Sequence, residues 1–323
     1  MPGVPQPERV RPQALRPGDT VGIIAPASGF GRDEFEAGCA ELLRLGYQPF
    51  YLPSIFERDG YFAGSARRRI DEFHEMFARP EVKAVLCARG GYGCNYLLPS
   101  LDLDLIRANP KIFAGCSDIT TLLTYLCDAA GLVTFHAPMV GGDFARPGGF
   151  DESSWLAAVC GGNDITFPTA RVSPLVKGVA RGILYGGCLS LLCASLGTPY
   201  EIRTAGAILF LEDRAERPYR IDRMLMQLKL AGKFNGVQGI VFGEMTDCSE
   251  PGGSAGMLQD VILRILGDLA IPIAFGLKSG HVSGGALTLP LGVRAELAVD
   301  DSVSLTCEAA VRSEKTVAPA RAV

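Results

Sequence analysis

A serine stands where an apolar run meets a helical pattern, in Gly115-Cys116-Ser117-Asp118-Ile119-Thr120. The run Lys111 to Ala114 reads as a buried strand, and helical periodicity continues through Ala130. A turn of this kind exposes a hydroxyl at the C-terminal edge of a sheet, where open α/β sheets hold ligands. The unpaired amides of the helix start suit an oxyanion. The chemistry would be acyl transfer by a serine nucleophile, although the G-x-S-x-G elbow is absent. The same residues also fit an ordinary helix N-cap.

A second turn, Arg89-Gly90-Gly91-Tyr92-Gly93, follows the strand pattern Val82 to Ala88. Its glycines let backbone amides approach a ligand closely, so one could complete an oxyanion hole with the amide of Asp118. A phosphate-binding loop or a plain tight turn fits as well, but no Gly-Lys-Ser/Thr follows as a Walker loop requires.

A serine nucleophile needs a base, and the chain has three histidines. His74 lies in a helical pattern, Ala66 to Ala78, beside Glu75, and reads as a solvated surface residue. His136 sits in an apolar strand before Ala137-Pro138 and reads as a satisfied core or supporting residue. His281 stands in the glycine-dense segment Gly276 to Gly285, where an imidazole can reach a cleft; it is the best base available. The base needs an acceptor to fix its tautomer. Glu212 closes the apolar run Ile208 to Leu211, and strand ends project side chains into sites. Glu212 and Asp213 could instead cap the next turn or pair with Arg214, Arg217 or Arg220. The histidines share no helical spacing, and the ten cysteines form no C-x-x-C pair, so no zinc or di-metal site is expected.

These residues must be positioned by an α/β framework. Strand patterns at 20–26, 47–52, 82–88, 111–114 and 134–139 alternate with helical ones, which predicts a parallel sheet with right-handed crossovers over 17–142. A Pro-rich lead is expected over 1–16, and a Gly/Pro/Asp/Ser-rich linker with a helix around Trp155 over 143–175. A second, mixed α/β domain over 176–311 and a frayed tail over 312–323 complete the chain. Within the second domain, strands are expected at 178–185, 207–211, 239–242, 286–291, 295–299 and 302–306, and helices at 189–196, 219–231 and 257–266.

The 323 residues are 48% apolar, enough to offset ordering entropy, and the net charge of −4 argues against a nucleic-acid partner. The longest uncharged stretch, Gly182 to Tyr200, carries too many Gly, Ser, Thr and Pro residues for a membrane span. No secretory apolar run opens the chain. The cysteines are therefore expected reduced and mostly buried, and the location cytoplasmic.

Taken in order, several motifs resemble the LD-carboxypeptidase family of serine peptidases. They are Gly-Asp-x-Val-x-Ile-x-Ala-Pro-Ala-Ser (18–28), Arg-Gly-Gly-Tyr-Gly (89–93), Gly-Cys-Ser-Asp-Ile-Thr (115–120), Gly-Gly-Cys-Leu-Ser-Leu-Leu (186–192), Leu-Glu-Asp (211–213), Tyr-Arg-Ile-Asp-Arg-Met-Leu (219–225) and Gly-His (280–281). The resemblance implies a flavodoxin- or amidotransferase-like N-terminal domain and a C-terminal domain that brings Glu and His across the interface. It implies a Ser117–His281–Glu212 triad and a homodimer working without metal; the oxyanion hole is placed at the amides of Gly91 and Asp118, and no cofactor is expected. Arg89 is the candidate cation for a substrate carboxylate.

The implied reaction is removal of the terminal D-alanine from murein tetrapeptide during cell-wall recycling. A sister group cleaves the peptide–nucleotide microcin C, and a non-catalytic murein-peptide binder is a third reading. Cys94, Cys116 and Cys188 replace the family's expected Ser, Tyr and Asn, changes that bear on the pocket rather than on the triad.

Overall fold

A computed structural model describes residues 9–313, apart from 251 and 253–255. The first part of the expected lead and most of the expected tail therefore lie outside the described residues. In the first half, β1 (Thr20–Ile24), α1 (Arg32–Arg44), β2 (Gln48–Phe50), α2 (Ala66–Ala78) and β3 (Val82–Cys87) precede α3 (Leu103–Ala108), β4 (Ile112–Gly115), α4 (Thr120–Tyr125) and β5 (Thr134–His136). Next come α5 (Glu152–Cys160), β6 (Ile165–Thr166), β7 (Ser173–Val176), β8 (Gly178–Cys188), α6 (Leu189–Ala194), β9 (Ala207–Glu212) and α7 (Pro218–Leu230). The chain closes with β10 (Gly239–Gly243), α8 (Met257–Leu266), β11 (Ile273–Leu277), β12 (Leu289–Leu291), β13 (Arg294–Val299) and β14 (Val303–Cys307).

The first sheet has the order β2-β1-β3-β4-β5 with all four pairings parallel. This is the flavodoxin-like order, whose ligand crevice opens where the connections diverge, between β1 and β3. Strands β1, β3 and β4 are apolar almost throughout because helices cover both faces. Beyond β5 the sheet gains β12, paired antiparallel with Leu289 opposite His136.

The second sheet runs β6-β14-β13-β8-β9-β10-β11-β7, parallel from β8 to β11 and antiparallel outward on both sides. Its two edges, β6 and β7, come from the segment expected as a linker. The expected strand at 286–291 shortens to 289–291 and joins the first sheet. The uncharged stretch 182–200 is the end of β8 followed by α6, and among the described residues no helix is long and apolar enough to cross a membrane.

One glycine lets the paired strands β8 and β9 lie close, and the next lets the two sheets approach. A Cβ at Gly186 would lie 2.0 Å from the Phe210 carbonyl oxygen, and one at Gly187 would lie 2.6 Å from Thr120 Oγ1. Thr120 Oγ1 accepts the Cys188 N–H at 3.0 Å, tying the start of α4 to the end of β8. Buried charges brace the crevice side. Arg69 of α2 donates to the carbonyls of Pro26 (2.6 Å) and Gly93 (2.8 Å), joining the loops after β1 and β3. Glu72, paired with Arg68 at 2.9 Å, accepts the Ala25 N–H at 2.9 Å.

Helix α5 is capped by Asp151, which accepts the Ser154 N–H at 2.7 Å, and Ser154 Oγ accepts the Thr288 N–H at 3.2 Å. Trp155 on this helix is fully buried, edge-on to Phe144 at 5.2 Å between ring centroids. Truncating such a ring leaves a cavity that the surroundings fill only partly. Trp155→Ala is therefore expected to cost about 3–5 kcal/mol, measured by urea denaturation followed by circular dichroism.

Candidate active site

Ser117 stands one residue beyond β4 and has φ +62°, a left-handed conformation uncommon for a residue with a side chain. Such a backbone turns the hydroxyl away from the strand, as a nucleophile elbow does. The space beside it exists because residue 90 is glycine: a Cβ there would lie 2.8 Å from Ser117 Cβ. At Gly91 an added Cβ would instead meet Ser28 Oγ at 2.4 Å. The glycine turn is fastened to the serine's neighbour, since Asp118 Oδ2 accepts the Cys94 N–H at 2.8 Å. Burial pushes the Asp118 carboxyl up, against the pull of that bond.

The second sheet supplies the other two groups. Glu212 ends β9 and is buried, while His281 follows β11 by a short turn. His281 Nε2 lies 3.1 Å from Ser117 Oγ, and its Nδ1 lies 2.9 Å from Glu212 Oε2. The same carboxylate oxygen accepts the His281 backbone N–H at 3.0 Å, which fixes the ring's approach. Gly280, with φ +81°, makes room for this contact, because a Cβ there would lie 2.5 Å from Glu212 Cδ. Gly243 does the same on the neighbouring strand, 2.6 Å from Glu212 Cβ.

Burial alone would raise the Glu212 carboxyl, but His136 and His281 beside it hold it well below the usual carboxylate range. Burial would lower the His281 imidazole, yet its bond to Glu212 outweighs this and raises it above its ordinary 6.5. A base of raised affinity hydrogen-bonded to a hydroxyl can take its proton and pass it on.

The other sequence candidates sort themselves by contact. Asp213 serves locally, accepting the N–H groups of Ser190 (2.8 Å) and Arg214 (2.9 Å). His74 Nε2 accepts the Asp102 N–H at 3.0 Å, away from the serine. Arg89 Nη1 donates to the Gly29 carbonyl at 3.0 Å, and the rest of this exposed guanidinium faces outward. Cys116 is buried, and burial holds its thiol well above the ordinary value, protonated and unreactive. The ten cysteines are free thiols, eight of them buried.

Two contacts were not foreseen from the sequence, which read His136 only as a core or supporting residue and gave Thr120 no part. His136 reaches the far oxygen of Glu212, and Thr120 docks the serine's helix on the second sheet. The Gly-Gly-Cys motif at 186–188 held the only local sign of the second contact.

Comparison with known proteins matches the two halves of the chain separately. The model of the LD-carboxypeptidase N-terminal domain matches residues 21–137, and that of the LD-carboxypeptidase C-terminal domain matches residues 181–297. A probable murein peptide carboxypeptidase of Bacillus subtilis is 40% identical over 296 residues, covering 89% of this chain and 91% of that protein. The microcin C7 self-immunity protein MccF of Escherichia coli is 30% identical over 329 residues, covering 90% and 94%. The crystal structure of muramoyltetrapeptide carboxypeptidase from Oxalobacter formigenes superposes with a TM-score of 0.80 at 28% identity, covering 91% of this chain and all (100%) of that one. Both halves of the fold, matched in order and meeting at one serine, make this chain a member of the LD-carboxypeptidase family.

Proposed function

We propose that the protein is a serine carboxypeptidase that removes a terminal D-amino acid, D-alanine, from murein tetrapeptide. The observation that carries this reading is the contact of one imidazole with both the Ser117 hydroxyl, at 3.1 Å, and the Glu212 carboxylate, at 2.9 Å. His281 Nε2 takes the Ser117 proton as Oγ attacks the carbonyl of the L,D-amide. Glu212 stabilises the resulting imidazolium. His281 then protonates the leaving amine of the D-amino acid, and the amide C–N bond breaks to leave an acyl-serine. Water, deprotonated by His281, hydrolyses that ester and restores the hydroxyl. Every proton in this cycle is carried by groups of the chain, so none of the steps calls on a metal.

The negative oxygen of each tetrahedral state is assigned to the backbone N–H groups of Gly91 and Asp118. Among the hydrogen bonds between described residues, neither amide has a protein acceptor; Asp118 follows the serine directly, and Gly91 follows Gly90, the residue beside it. Arg89 is assigned the terminal carboxylate of the substrate, because a guanidinium pairs with it bidentately and most of its donors are free of protein acceptors. Its loop begins at the glycine that touches Ser117. The murein assignment rests on the 40% identical relative; the 30% identical microcin relative supplies the competing substrate class.

Free, mostly buried thiols fit a reducing cytoplasm. As the family resemblance implies, the working form is assigned as a homodimer. Sedimentation at micromolar concentration is expected to show twice the chain mass, and a monomer alone would refute that assignment.

Incubation with murein tetrapeptide is expected to release D-alanine, read by mass spectrometry, while an aminoacyl sulfamoyl nucleotide stays intact. The reverse preference would transfer the protein to the microcin class. Ser117→Ala, with the fold intact, is expected to lower kcat by about 10³ or more and to abolish labelling by a phosphonate; a loss of two decades or less would argue against a nucleophile.

The pH profile follows from the base. His281 must be neutral to accept a proton, and its affinity is raised, so activity is lost as pH falls through a value above the ordinary 6.5. Glu212→Gln removes the stabilising charge. It is expected to move that limb to lower pH and to cut kcat by about 10²–10⁴, and an unmoved limb would sink the assignment of the base.

A further inference from the structure

The Glu212 carboxylate has a second imidazole on it. His136, at the end of β5, is buried with its Nε2 3.7 Å from Glu212 Oε1. This distance is an ion-pair contact, too long for a hydrogen bond. Neither atom has another hydrogen-bond partner, and both are shut away from water. The opposite oxygen, Oε2, is taken up by His281.

The protons on His136 can be counted from its other side. Ser279 Oγ lies 3.0 Å from the Leu287 carbonyl oxygen and 2.9 Å from His136 Nδ1. A carbonyl can only accept, so the serine's single proton points to Leu287. Ser279 then has only a lone pair to offer His136, and Nδ1 must carry a proton. In a neutral ring that would leave Nε2 as a bare lone pair facing a buried carboxylate oxygen. Two acceptors facing each other in a dry site are repulsive and both unpaired. A second ring proton, on Nε2, removes the conflict.

The elements packed on His136 are β4, β9, β12 and the turn after β11. They present Gly115, Phe210, Glu212, Leu289 and Ser279, of which Glu212 alone is charged. Among the described residues, the compensation for the buried carboxylate on this side is His136.

We propose that His136 is a positioning residue of the catalytic site, an imidazolium protonated on both ring nitrogens that pins Glu212 Oε1 and leaves Oε2 to orient His281. The peptidase role rests on the function proposed above; the charge state does not. The first sheet thus contributes to the site twice, through Ser117 and through the counter-ion of the acid that serves its base.

The test of the charge state needs no substrate. The chain has three histidines, so the ¹⁵N-histidine-labelled protein gives a spectrum that His136→Phe assigns by loss of one ring. In the folded natural protein both His136 ring nitrogens are expected to bear protons. An unprotonated Nε2 would overturn the proposal, whatever the enzyme acts on. In turnover of murein tetrapeptide, His136→Phe is expected to lower kcat about 10–100-fold with KM little changed. His136→Gln, which can aim an amide N–H at Oε1, is expected to recover most of that loss. Equal kcat in the Phe variant and the natural protein, or no recovery with Gln, would overturn the positioning role. Failure of the natural protein to turn over any murein peptide would instead count against the proposed function and leave the charge state standing.

Discussion

Much of this molecule is arranged around one buried negative charge. A carboxylate removed from water is costly unless its lone pairs are taken up by donors. Glu212 meets that demand with hydrogen bonds from His281 on one oxygen and an ion-pair contact with His136 on the other, one imidazole from each sheet. The requirement explains why the sheets must dock where they do. Either half alone would leave a charge or an imidazole without its partner. Small residues clear the space around the site: Gly187 admits Thr120 between the two sheets, Gly280 admits the carboxylate within the second half, and Gly90 admits the serine within the first. A methyl group at any of the three would stand where a functional atom now sits.

Much of the framework was legible in the residues. Apolar runs ending in small residues marked β1, β3 and β4, and the register of helical positions marked α2 over its observed span. The three residues that meet at the site were legible as candidates, each at a strand end or in a glycine-dense turn with only three histidines competing for the part of base, and it was the family resemblance that grouped them. The four-residue run Ile112–Gly115 followed by Cys-Ser-Asp carries a steric message about the turn that needs no distant partner.

What could not be read was pairing at a distance. Residues 286–291 have a strand pattern, but nothing local says that three of them cross to the first sheet rather than joining the second. The linker composition of 143–175 hid β6 and β7, which are short, polar on one side and held by neighbours far along the chain. β11 went unrecognised because Ile273–Leu277 contains a glycine and runs straight into the glycine-rich turn of His281. His136 looked like core because it is core: its polar neighbours, Ser279 and Glu212, lie 143 and 76 positions away and become visible only once the sheets have met. Side-chain chemistry at an interface is a property of two segments, and either segment alone is silent about it.

The crossing of β12 to the first sheet has a bearing on how the chain comes into being. During synthesis β5 leaves the ribosome with one flank unpaired, an open edge of the kind that recruits stray strands, and it stays so until residues 289–291 have been made. Ser117 emerges long before His281, so the nascent half holds an inert alcohol. The strand that seals the edge follows the histidine by only a few residues, so the gathering of the site and protection from misassembly arrive together.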